Sequence, residues 1–287
     1  MCDKDHFAES VAEYEARGLV TRRQFGVLLA AGVAMVLPET ANAQATNERD
    51  VEIKTPDGTC DAYFVHPAAG TGAGVLIWPD IFGLRPAMRT MAKRLAGSGY
   101  SVLVVNPFYR AGKPTATGAT PIQQMLPFRK GMSAATDIVD AKTFVAWLDA
   151  QPQVNKNRKV GVQGYCMGGP MSFHTASAVP DRIGAVASFH GGGLVSAQDP
   201  NSPSSPHLLA AATKASFLIA IAENDDKQRP NDKTILKETF DKAKLSAEVE
   251  VYPAAHGWCP PDTQVYNEPA AEKAWTRLLA LYGKALA

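Results

Sequence analysis

The chain has 287 residues, of which 46% are hydrophobic and 20% charged, and a formal net charge of +1. This is the balance of a globular, enzyme-sized protein, and one domain is the default at this length. Near-neutral charge without a long Lys/Arg run excludes the electrostatic footprint of a nucleic-acid binder, and no internal repeat, acidic tail or low-complexity tract is present.

In chain order, the first feature is "TRRQFGVLLAAGVAMVLPETANAQA". Arg22 and Arg23 precede a 13-residue apolar stretch from Phe25 to Leu37, and Ala41-Asn42-Ala43 then offers a small-residue cleavage site. These are the three parts of a secretory signal. An apolar stretch of this length spans about 20 Å at helical rise, short of a hydrocarbon core about 30 Å thick, so the mature form is expected to have no stable membrane span. The Thr-Arg-Arg-x-Phe pattern resembles twin-arginine export signals, which implies the twin-arginine export machinery as a partner of the precursor and a periplasmic or secreted bacterial product. Residues 1–43 are thus expected to be leader and 44–287 a single mature domain, monomeric and mildly basic. Its cysteines are Cys60, Cys166 and Cys259, an odd number for an oxidising compartment. Pairing Cys60 with Cys259 would leave Cys166 free.

"VEIKT" and "CDAYFVHP" flank the turn Pro56-Asp57-Gly58 and predict an opening β-hairpin. "GVLIWPD" is a short apolar run of the kind buried in a parallel sheet, "PAMRTMAKRLAGSG" has helical spacing closed by glycine, and "YSVLVVNP" repeats the buried-strand pattern. Residues 107–131 form a connection carrying Arg110, Lys113, Arg129 and Lys130, ahead of the helix "SAATDIVDAKTFVAWLDAQ". Strand and helix then alternate: "KVGVQ", a helix from Gly168, "IGAVASFH", "ASFLIAIAEND", "KTILKETFDKA", "AEVEVYP" and "AAEKAWTRLLALYG". The alternation predicts an α/β fold, a mostly parallel doubly wound sheet with helices on both faces. The Pro/Ser-rich "GGGLVSAQDPNSPSSPH" is expected to be a surface excursion.

The chemistry gathers at the carboxyl ends of the strands, where such sheets bind ligands. "VGVQGYCMGGP" runs from a strand into a helix, the setting of a nucleophile elbow, with Gly164 and Gly168 flanking Cys166 where the turn brings two backbones together. The helix N-terminus behind Cys166 favours thiolate over thiol. "AENDD" ends the next strand but one with Asp225 and Asp226, and "AHGW" follows the last with His256. Nucleophile, acid and histidine stand in the order of an α/β-hydrolase, with Asp225 as the acid and Asp226 as the alternative. His190 ends "IGAVASFH" on the same side of the sheet, and Trp258 follows the histidine. Both are candidate substrate contacts. His174 lies two turns along the helix from Cys166 and reads as structural. His6, His66 and His207 have no cluster spacing for a metal, and no cofactor is expected.

With "PDIFGLRPAMR", "NPFYR", "GYCMGG", "AEND" and "AHGW" in one chain, the sequence resembles the dienelactone hydrolase family of α/β-hydrolases over roughly residues 50–285. The resemblance implies Cys166 as nucleophile, His256 as its base and later acid, Asp225 as the carboxylate orienting the imidazole, and an oxyanion hole from the backbone N–H groups of Ile81 and Met167. It further implies a small-molecule ester or lactone substrate. The family usually carries a glutamate before Ile-Phe-Gly, thought to interact with the resting thiol; here the position is Asp80. An arginine for the substrate carboxylate is expected after the histidine, whereas the chain continues "HGWCPPD", which leaves Arg110 as the candidate replacement. Two other readings of a reactive cysteine stay open: a thiol-redox protein with Cys259 as resolving thiol, and a non-catalytic binding protein on the same scaffold.

Overall fold

The computed structural model describes residues 37–38 and 43–287; the expected leader lies outside the described residues apart from Leu37, Pro38 and Ala43. The elements are β1 (Thr46–Thr55), β2 (Gly58–Pro67), β3 (Ala73–Trp78), α1 (Pro86–Gly97), β4 (Tyr100–Val105), α2 (Ala134–Ala150), β5 (Val160–Tyr165), α3 (Gly168–Ala178), β6 (Ile183–Phe189), β7 (Ser216–Ala222), α4 (Glu223–Gln228), α5 (Asp232–Lys242), β8 (Ala247–Tyr252) and α6 (Glu268–Ala285), with short helical turns at Ile122–Met125, Leu126–Arg129, Pro206–Leu209 and Ala210–Ala212.

The strands form one sheet in the order β1-β2-β4-β3-β5-β6-β7-β8. β1 and β2 make the opening hairpin, and β2 meets β4 antiparallel. From β4 to β8 every pairing is parallel, which buries the central strands on both faces and accounts for their continuous apolar runs. Alternation decides the face. Val75, Ile77, Val102 and Val104 point into the core beneath α1 and α6, while Leu76, Trp78, Leu103 and Val105 point into the core beneath α2, α3 and α5.

Each covering helix presents a stripe at helical spacing. Ala141, Phe144, Val145 and Leu148 form the buried face of α2, whose start is fixed by a capping box: Ser133 accepts the Thr136 N–H and Thr136 reciprocates. In α6 the stripe runs in steps of four, Ala270, Ala274, Leu278 and Tyr282, and continues to Leu286. Tyr282 also donates to Gln163 Oε1 at 3.0 Å, and Gln163 Nε2 donates to the Tyr165 hydroxyl at 2.6 Å. These contacts tie the last helix to the strand that carries Cys166.

Two expectations need correction, and the open possibility of a Cys60–Cys259 pair is decided. Asp225 and Asp226 do not end a strand: β7 stops at Ala222, and both lie in the first turn of α4, where acidic side chains complement the positive end of the helix dipole. The segment after His190 is not wholly superficial, because Leu194, Val195, Ser205 and His207 are buried. Cys60 and Cys259 are not paired; both are free thiols and belong to the cores on opposite faces of the sheet. Among the described residues no helix is long and apolar enough to cross a membrane.

Tyr282→Phe should leave the buried Gln163 Oε1 without its donor and lower stability by about 1–3 kcal/mol. A urea midpoint unchanged from wild type would contradict this account of how α6 is anchored.

Candidate active site

Cys166 sits between the end of β5 and the start of α3 with φ of +51°, a backbone region that costs a residue bearing a β-carbon. Its neighbours show why glycines are needed. A β-carbon on Gly164 would lie 1.9 Å from the Gly168 carbonyl oxygen, and one on Gly168 would lie 2.4 Å from that of Trp78. Strand and helix therefore touch through backbone alone, and the elbow is pressed against the end of β3. The Cys166 N–H donates to the Phe189 carbonyl at 3.1 Å. Cys166 is buried, 3% exposed, and lines a cavity of about 100 Å³ together with Asp80, Ile81, His190, Asp225 and His256.

The histidine comes from the loop after β8. Its Nδ1 lies 2.7 Å from Asp225 Oδ2, and its backbone N–H donates to Asn224 Oδ1 at 2.8 Å. Two consecutive residues of α4 thus hold ring and backbone. A carboxylate on Nδ1 leaves Nε2 as the nitrogen available to the cavity side. Asp226 turns away, 2.7 Å from Lys233 Nζ. The structure brings Asp225, not Asp226, to the histidine.

The loop after β3 contains Asp80, Ile81 and Phe82. Asp80 accepts from the Phe82 N–H and binds Arg85 through both oxygens, at 2.6 and 3.0 Å. Arg85 in turn forks onto Asp262 at 2.7 and 2.8 Å, and Asp262 accepts the Gly118 N–H at 2.9 Å. Burial pushes the Asp80 carboxyl up despite Arg85. For Arg85 burial acts to lower the pKa, but Asp80 and Asp262 outweigh it and raise it. Ile81 faces the cavity, and Met167 packs on the small cluster formed by Ile81, Phe82 and Phe108. The two residues expected to supply oxyanion N–H groups thus share one apolar cluster.

His190 completes the floor. It follows β6, has φ of +41°, and donates its N–H to Ala220 of β7 at 2.8 Å. Its ring is fully buried and meets His256 edge-on at 5.2 Å between centroids. Burial, then the neighbouring His256, holds it well below the ordinary histidine range, so it is neutral.

Two expected substrate contacts lie elsewhere. Arg110 does not line the cavity: its guanidinium binds Asp57 at 2.6 Å and Asp140 at 2.7 Å, tying the β1–β2 turn to α2. Trp258 is fully buried behind the site, stacked on Tyr252 at 5.0 Å and edge-on to His190 at 5.8 Å. It backs the wall instead of forming it. His174 is held by Asp137 at 2.9 Å inside the protein. Sequence reasoning passed over Arg85, Asn224 and Asp262. Arg85 and Asn224 stand inside the motifs "IFGLRP" and "AEND", but their partners come from remote segments. Among the described residues, no group of three His, Cys, Asp or Glu side chains could hold a metal ion.

The model of the dienelactone hydrolase family matches residues 60–286. A Salmonella typhi protein provisionally named a carboxymethylenebutenolidase is 25% identical over 253 residues, covering 81% of this chain and 90% of its own. The carboxymethylenebutenolidase of Rhodococcus opacus is 31% identical over 135 residues, 46% of this chain and 50% of that protein. A solved Klebsiella pneumoniae structure provisionally named a dienelactone hydrolase superposes with a TM-score of 0.73 at 22% identity, covering 84% of this chain and all of that one.

Arg85→Met should strand two carboxylates and cost about 3–5 kcal/mol of stability, whereas Arg85→Lys should recover part of it. Denaturant titration checks this, and a methionine variant as stable as wild type would contradict it.

Proposed function

The chain belongs to the dienelactone hydrolase family and is a carboxylic ester or lactone hydrolase, and from that premise we propose a cysteine-dependent mechanism through an acyl-thioester. The observation that carries the reading is the 2.7 Å contact of His256 with Asp225, made at a cavity that Cys166 also lines. Cys166 passes its proton to His256 and its sulfur attacks the ester carbon, and the carbonyl oxygen becomes an oxyanion held by the N–H groups of Ile81 and Met167. Collapse expels the alcohol or enol, to which His256 gives its proton, leaving the acyl group on sulfur. Water, losing a proton to His256, then attacks the thioester and releases the acid. Asp225 fixes the ring so that Nε2 exchanges protons, and supports the imidazolium when it forms.

A thiolate is a better leaving group than an amide nitrogen, so amide adducts revert to starting material. Activated esters, enol lactones and thioesters are the fitting substrates. The redox alternative finds less support. Cys259 lines a separate pocket with Met91 and Trp275, and burial pushes its thiol up, which opposes the thiolate that exchange requires. We further place the reaction in the periplasm or outside the cell, on the strength of the twin arginines, apolar stretch and Ala-Asn-Ala site of the leader.

Cys166→Ala should abolish hydrolysis of an aryl acetate. Asp225→Asn should lower kcat by about 10²–10⁴-fold, the range seen when a triad carboxylate is neutralised, and Asp226→Asn should stay within about twofold. Stopped-flow assays on the mature protein decide this. Equal losses for the two aspartates would remove Asp225 from its role.

A further inference from the structure

Resting on the hydrolase reading above, we infer that this site selects uncharged esters or lactones over carboxylate-bearing ones, and that His190 is the polar contact that receives them.

A substrate carboxylate needs a cation facing the cavity. Among the described residues that line it, the cationic side chain is Arg229, and it is already engaged. Its Nε and Nη2 donate to Asp232 at 2.6 and 2.9 Å, and Nη2 also reaches the Val195 carbonyl at 3.3 Å. Arg110 is spent on Asp57 and Asp140, and Arg85 on Asp80 and Asp262. The acids that line the cavity are held as well, Asp80 by Arg85, Asp225 by His256, Asp226 by Lys233 and Asp232 by Arg229, so their partners are not spare cations. An entering carboxylate would exchange water for a wall whose cation is already paired, so its desolvation would go uncompensated. Much of the remaining lining is apolar, with Ile81, Phe82, Ile122, Leu194, Ile221 and Leu236, beside the neutral polar Gln228 and Thr263.

Among the neutral polar side chains of the lining, His190 stands apart. Its ring is fully buried, lines the cavity, and presents two nitrogens that meet no hydrogen-bond partner. Buried polar groups are rarely left this way in a core, and one at a cavity wall is satisfied when a ligand arrives. The backbone holds it there in the left-handed region at φ +41°, a local cost of the kind concentrated at functional sites. Its neighbours in the sheet fix its position. The residue before it accepts the Cys166 N–H, and its own N–H goes to the strand leading to Asp225. The ring therefore sits between nucleophile and acid. As a neutral imidazole it offers one donor and one acceptor, which suits an ester or lactone oxygen and supplies no charge to hold a carboxylate.

The test uses two substrates with one skeleton, 3-acetoxybenzoate and its methyl ester, each rate divided by its own hydroxide-catalysed rate. The wild-type enzyme should favour the methyl ester in kcat/KM by at least about tenfold, an increment of about 1.4 kcal/mol in the barrier. His190→Phe should lower kcat/KM for the methyl ester by about tenfold or more while iodoacetamide alkylates Cys166 at close to the wild-type rate. His190→Asn, which tolerates the left-handed backbone and keeps donor and acceptor, should retain more activity than the phenylalanine variant. A wild-type preference for the charged ester, or equal use of both, overturns the inference and leaves the hydrolase reading standing. Undiminished kcat/KM in His190→Phe, or parallel loss of Cys166 alkylation, overturns the role of His190. Hydrolysis of neither ester by wild type overturns the hydrolase reading and this inference with it.

Discussion

The Arg85 guanidinium, clamped between Asp80 and Asp262, is the interaction on which the site's geometry depends. Three segments far apart in sequence meet there: the loop after β3 that carries Ile81, the chain beyond His256, and the long connection at Gly118. None of the three belongs to the sheet, so hydrogen-bonded strands alone would not set their distances. With donors and acceptors matched in two forks, the desolvation cost of burying these charges is offset by short charge-assisted bonds. The clamp is strong only when complete, because a missing partner leaves a charge in a dry interior.

This gives Asp80 a definite physical place. A glutamate is usual at this position in the family, whereas the shorter aspartate here has both oxygens on Arg85 and one also on the Phe82 N–H. It lines the cavity with Cys166 but is braced from behind. A carboxylate held in that way is a fixed part of the wall. The arginine expected after the histidine is missing from "HGWCPPD", and the acid in that stretch, Asp262, pairs with Arg85. The two stretches that depart from the family pattern thus meet at Arg85, which holds their loops together.

Much of the fold was legible because it is written in local signals. Buried parallel strands are continuous apolar runs, helices carry their stripes and caps, and the elbow needs glycines at 164 and 168 that no other residue can replace without backbone collision. Strand-end placement of Cys166, His190 and His256 followed from the alternation. Asp225 was chosen from the motif, yet its setting in a helical turn was not foreseen, because "ENDD" continues a strand-like run without a break. Arg110 and Trp258, candidates for substrate contact in the sequence, turn to other partners for a different reason. A charge or an aromatic ring close in sequence to a site gives no sign of whether it faces the cavity or turns to a remote partner such as Asp140 or Tyr252. Arg85 illustrates the same limit from the other side, since its role depends on Asp262, 177 residues away.

The central claim is that acyl transfer passes through the Cys166 sulfur. Mass spectrometry of the wild-type protein, quenched in acid during turnover of an ester whose acyl group hydrolyses slowly from sulfur, tests it most directly. The account predicts a mass increase equal to the acyl group, lost on treatment with hydroxylamine and mapped to the peptide containing Cys166. An unmodified Cys166 under conditions where product forms in a burst, or an acyl group carried by another residue, would contradict it.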